Sequence, residues 1–133
     1  MMRRWLRGIL ALFYLFAGVM HLIRPEPFVS ITPSFVPGAL AVVYATGIAE
    51  IAGAIALVQP FSLQLRRMAG WSLALYAFCV WPANINHMLI DLASPDGGLG
   101  LGYHAPRMIA QPLLIWLALW VGGATDWPLR RTR

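Results

Sequence analysis

Four long apolar runs decide what this chain can fold into: Gly8 to Ile23, Gly38 to Val58, Met68 to Ile90 and Met108 to Ala124. Each is close to the ~17–25 residues that cross a bilayer as a helix. Together they hold 77 residues and one formal charge, Glu50. A backbone in hydrocarbon must satisfy its own hydrogen bonds, so the runs predict an all-α, integral membrane four-helix bundle forming one membrane domain over residues 1–133. Composition agrees, with 59% hydrophobic and 11% charged residues where an ordinary soluble domain carries about 25% charged. A soluble enzyme, a disordered tail and a secreted disulfide scaffold are excluded. The first run follows an Arg-rich start, as in a signal peptide, but no small-x-small cleavage site precedes Arg24 and three more spans follow. It is read as a mature helix.

The charges fall between the runs. All ten basic residues are Arg, and the net charge is +5. Arg3, Arg4, Arg7, Arg66, Arg67, Arg130, Arg131 and Arg133 fall on one side of the expected bundle, against Arg24 and Arg107 on the other. The positive-inside bias then places both termini of a multi-pass membrane protein in the cytoplasm. Basic charge used for orientation is no evidence of nucleic acid, and no such partner is expected. The single cysteine, Cys79, rules out an internal disulfide or CxxC chemistry. At mid-span it reads as a packing residue. Arg24 to Pro37 reads as a proline-stiffened loop lying on or dipping into the outer leaflet, and Ser94 to Gly102 as a glycine-rich loop, solvated or acting as a lid.

An ionisable side chain within a span normally faces the bundle interior and marks a functional site. Glu50 shares its helix face with the small residues Thr46, Gly47, Gly53 and Ala54, which let a neighbouring helix approach. At ~1.5 Å of rise per residue, Glu50 lies about 18 Å below the outer end of its span, Asn84 about 9 Å, and His21, His87 and Gln111 roughly 3–5 Å. Arg24 and Arg107 are the nearest cations and stand too far out to pair with Glu50. Tyr14, Ala17, Gly18 and His21 share a face, as do Asn84, His87 and Asp91, while Arg107 and Gln111 are one turn apart. All four helices can therefore contribute to one pocket with Tyr14, His21, Glu50, Asn84, His87, Arg107 and Gln111 as ligand-binding or proton-handling residues. The amides read also as interhelical glue, and the histidines as solvated or hydrogen-bonded. Two histidines on separate helices are a weak haem pattern, so haem is not expected, no metal ligands are assigned and no catalytic residue is named. Pro82 should kink the third span, with Asn84 or Asn86 serving the freed carbonyl. Pro112 should sit harmlessly near the start of the fourth.

Phe16-Ala17-Gly18-Val19-Met20-His21 with the Pro25 to Pro37 loop, Thr46-Gly47-Ile48-Ala49-Glu50-Ile51-Ala52-Gly53-Ala54, and Pro82-Ala83-Asn84-Ile85-Asn86-His87-Met88 resemble the DoxX-like family of small four-helix bacterial membrane proteins. The resemblance covers Phe16 to about Met88; the fourth span matches in hydropathy alone. It implies a redox-associated membrane protein, with the recurring polar positions at His21, Glu50, Asn84 and His87. The expected function is that of an accessory subunit with an intramembrane pocket for a quinone-like or other amphipathic molecule, rather than an autonomous enzyme. Its partners would be the bilayer and a membrane redox complex or a second copy. A scaffold for a larger membrane protein and a proton-coupled transporter are the alternatives.

Overall fold

The computed structural model describes residues 1–128, so Arg130, Arg131 and Arg133 lie outside the described residues. The order is α1 (Met2–Ile23), α2 (Glu26–Ile31), α3 (Ala39–Val58), α4 (Leu63–Ala93) and α5 (Leu101–Gly122), with no strand among the described residues. α1, α3, α4 and α5 are each long and apolar enough to span a membrane. The chain is an all-helical, multi-pass membrane protein.

Three local expectations need correction. The first half of the proline loop is helical: Pro25 caps α2 with αR geometry and Pro27 falls in the first turn, where its missing N–H costs nothing. α5 starts at Leu101, not Met108, so Pro112 lies in mid-helix and Pro106 also falls inside. α4 runs on through Pro82, and neither nearby asparagine serves the freed carbonyl. Asn86 Nδ2 donates to Ile31 O at 2.9 Å, tying α2 down, while Asn84 accepts from Arg107.

The helices pack as two intimate pairs, α1 with α3 and α4 with α5, joined by a slighter seam. In lipid there is little hydrophobic drive to bring helices together, so close approach of small residues does the work. A Cβ on Gly18 would lie 2.6 Å from Gly47 O, and one on Gly47 would lie 2.9 Å from Gly18 O. The second pair repeats the device: a Cβ on Gly70 would lie 2.8 Å from Ala118 O, and one on Gly122 2.8 Å from Gly70 Cα. The large apolar side chains point outward, as Trp71, Leu75 and Phe78 do along one face of α4. Small residues such as Ala69, Gly70, Ala74 and Ala77 fill the opposite face.

Gly18→Ala should therefore cost about 1–3 kcal/mol, the usual range for overpacking. Gly8→Ala, with nothing within 4 Å of the added methyl, should cost close to nothing. Thermal unfolding of the two variants in detergent checks this, and equal midpoints would contradict the crossing.

Candidate functional site

At the Gly18–Gly47 crossing the two helices run antiparallel, with Glu50 beside Gly18 and His21 beside Gly47, so that the His21 and Glu50 side chains meet across it. His21 Nδ1 lies 2.7 Å from Glu50 Oε2 and 2.8 Å from Ala17 O. Both neighbours are acceptors, which assigns the proton to Nδ1. The ring points it at Ala17 O, while Glu50 Oε2 is close but has no aligned donor. Glu50 is 3% exposed and His21 8%. Phe28 of α2 stacks on the His21 ring at 3.8 Å. His21 is thus buried and hydrogen-bonded, not solvated. α1 ends at Ile23, two residues past the His21 that packs on Gly47, so the first turns of α3 run beyond it, and Phe28 of α2 covers this end. Sequence depth failed here because it assumed that all spans end at one level.

The second pair carries a longer polar chain. Arg107 of α5 donates to Asn84 Oδ1 at 2.5 Å and to His87 Nδ1 at 3.0 Å, both on α4. A guanidinium only donates, so His87 Nδ1 is the acceptor and Nε2 carries the proton. Nε2 faces Asp91 Oδ2 at 3.6 Å, and the same oxygen receives Leu99 N–H and meets His104 Nε2, each at 2.9 Å. Gly98, at φ +53°, has no room for a Cβ against Asp91. This clasp fixes the α4–α5 connection, and the Ser94 to Gly102 stretch lines neither of the cavities described below.

His87, Asp91 and His104 bring ligand atoms within 4.8 Å of one another, a spacing suited to a metal. Ligating histidines normally give their other ring proton to an acceptor. Metal on His87 Nε2 would turn a proton on Nδ1 against the Arg107 N–H, and His104 Nδ1 has no partner. The cluster fits a hydrogen-bonded clasp better than a metal centre.

Two cavities occupy the seam between the pairs. The inner one, about 450 Å³, is lined by Tyr14, Glu50, Tyr76, Asn84, Arg107 and Gln111 among apolar side chains including Phe13 and Leu114. The outer one, about 240 Å³, lies under α2 and its following loop, with His21, Phe28, Thr46 and Cys79 in its wall. Tyr76, Val80, Asn84 and Arg107 line both. The contacting residues His21 and Glu50 face the outer and inner cavity respectively. Three buried polar atoms without a hydrogen-bond partner, Tyr14 OH, Glu50 Oε2 and Gln111 Oε1, belong to residues of the inner cavity wall.

Of the seven residues expected to share a pocket, Tyr14, Glu50, Asn84, Arg107 and Gln111 line the inner cavity, His21 stands in the outer wall, and His87 reaches the site only through Arg107. Cys79 is exposed at the outer cavity wall and is no core packing residue. Sequence reasoning missed Tyr76 and His104. Tyr76 lies beside Glu50 and Thr46, one helical turn from Val80 and two from Asn84, a spacing that could have found it. His104 was passed over because the fourth helix was started too late. Extended to Leu101, it puts His104, Arg107 and Gln111 on one face.

A family model described as a domain of unknown function, DUF8561, matches residues 10–122. The chain belongs to the DUF8561 family. The DUF8561 match takes in every cavity residue from Phe13 to Leu114 and leaves Arg3 and Arg7 outside. No curated protein and no solved structure matches the chain.

Arg107→Met should strand the buried Asn84 acceptor and the ring nitrogen of His87, a loss of about 1–3 kcal/mol per buried unpaired group. Arg107→Lys, a single ammonium without the planar fork, should restore only part of it. Chemical denaturation in detergent reads the loss; a Met variant as stable as the parent would contradict the bridge.

Proposed function

We propose that the seam between the helix pairs is a binding site for a quinone-like amphipathic small molecule, and that the protein serves as an accessory subunit of a membrane redox complex. The observation that carries this is the inner cavity, whose wall residues include Tyr14 and Gln111, with Tyr14 OH and Gln111 Oε1 unpaired, and Glu50, whose Oε2 has no aligned donor. Buried polar atoms are nearly always bonded. Three such atoms on residues of one wall fit a ligand that brings oxygen atoms to an otherwise apolar pocket, and ~300–1,000 Å³ is the usual size of such sites.

The roles follow from chemistry. Arg107 and Tyr76 supply donors to a carbonyl or hydroxyl oxygen. Glu50 exchanges a proton at Oε2, and His21, touching it from the outer cavity, is the neighbour through which that proton leaves or arrives. The apolar residues Phe13, Ala110 and Leu114 hold the ligand's body. An ionisable pair joining two cavities within a span fits the usual use of such residues as proton relays. No autonomous reaction is assigned. The redox association and the bacterial inner membrane rest on the resemblance to DoxX-like proteins, and the excess of Arg at one end supports cytoplasmic termini.

The test is titration of the purified protein with a short-tailed ubiquinone analogue, followed by intrinsic tryptophan fluorescence. Saturable quenching should weaken about tenfold or more in Arg107→Gln. Glu50→Gln should still bind but should lose the proton uptake or release that accompanies binding in weakly buffered solution. Equal affinity in all three proteins, with equal proton exchange, would remove the reading.

A further inference from the structure

The end of the bundle opposite α2 carries a second site. Arg3, Arg4 and Arg7 of α1 meet Arg66 and Arg67 of the first turns of α4 around two adjoining clefts of about 270 and 500 Å³. Arg7 and Arg66 line both; Arg3 and Arg67 belong to the first cleft and Arg4 to the second. Only one carboxylate, Asp126, lines either cleft among the described residues, and it is bonded to Arg3 at 2.6 Å.

These guanidiniums are held in place. Arg3 Nε donates to Trp120 O, Arg7 Nε to Val121 O, Arg67 Nε to Gly123 O and Arg66 Nη2 to Gln59 O, at 2.6 to 3.1 Å. Every acceptor is a carbonyl in the last turn of α3 or α5 or just beyond it. Such carbonyls lack intrahelical partners and lie at the negative end of the helix dipole. Each anchor occupies one N–H. Arg3 spends its others on Asp126 and Thr125 O, but the terminal donors of Arg7 and Arg67 have no protein acceptor among the described residues, and Arg66 Nε is buried without one. The result is a set of fixed, mutually repelling cations with spare donors around a space large enough for a ligand. Such an arrangement is completed by an anion rich in acceptor oxygens.

We infer that the paired arginine clefts bind the head group of an anionic phospholipid carrying two phosphates, with Arg7 and Arg66 between them. Two clefts sharing a pair of arginines match two linked phosphates better than one. Guanidiniums suit phosphate through parallel N–H bonds to two oxygens. A lipid is favoured over a soluble phosphate because exposed apolar groups, Leu63 in one cleft wall and Val58 in the other, offer a path for acyl chains. Basic pockets between spanning helices are a recognised mode of binding such lipids.

Native mass spectrometry of the full chain in detergent tests this, with cardiolipin, phosphatidylglycerol, phosphatidylcholine and inorganic pyrophosphate as probes. Cardiolipin should bind one to one, at least tenfold tighter than phosphatidylglycerol, with no measurable phosphatidylcholine or pyrophosphate complex. Arg66→Gln should abolish the preference. Arg4→Gln and Arg67→Gln, at exposed positions with at most one anchoring bond, should each weaken cardiolipin about fivefold and keep the parent circular dichroism, so the test survives if Arg66→Gln does not fold. Arg24→Gln, at the other end, should change nothing. Cardiolipin bound no better than phosphatidylcholine, pyrophosphate bound as well as cardiolipin, or Arg4→Gln and Arg67→Gln both without effect would each overturn the assignment.

Discussion

The contact between Gly18 and Gly47 is the constraint on which the rest of the structure depends. Side chains at those positions would meet backbone carbonyl oxygen at 2.6 and 2.9 Å, so only their absence lets α1 and α3 come this close. His21 packs on Gly47 and Glu50 on Gly18, and the same approach lets their side chains meet. A carboxyl at mid-span is costly to bury. Here it gains a polar neighbour in His21, and the chain folds back through α2 to cover the end of α1. The crossing, the early end of α1 and the buried pair are one arrangement.

The division into two tight pairs also explains why there is a cavity at all. A uniformly packed bundle would fill its axis. In this chain glycine crossings draw α1 onto α3 and α4 onto α5, and the seam between the pairs is more sparsely packed. The seam therefore carries the polar groups: Glu50 and Tyr14 from one pair, Tyr76, Asn84, Arg107 and Gln111 from the other. Arg107 is the hub of the second pair, tying Asn84 to His87 and through it to the Asp91 and His104 clasp. Polar chains of this sort are most strongly coupled where the dielectric is low.

Much of this was legible in the sequence. Uninterrupted apolar length gave the four spans, because hydrocarbon admits no other fold for such runs. Helical spacing put Tyr14, Glu50, Asn84, Arg107 and Gln111 on inward faces, since period depends only on local geometry. What the sequence hid was the level at which each helix ends. Depth counted from assumed span ends separated His21 from Glu50, and a late start for α5 left His104 in a loop. Tyr76 went unnoticed although it stands two turns before Asn84 on the same helix face, a spacing that marks it. Cys79 was misplaced inward, as a small residue can be at home on either face. The α2 helix was obscured by prolines that break a helix in mid-course but suit its first turn.

The central claim is that a small amphipathic molecule sits in the seam between the helix pairs, against Glu50 and Arg107. Photolabelling the membrane-embedded protein with an azido-quinone, then mapping the modified peptides, tests it most directly. The account predicts labelling concentrated on Tyr76 to Asn84 of α4 and Tyr103 to Leu114 of α5, and suppressed by excess unlabelled quinone. Label spread over the outward face of α4 at Trp71, Leu75 and Phe78, and insensitive to competitor, would contradict it.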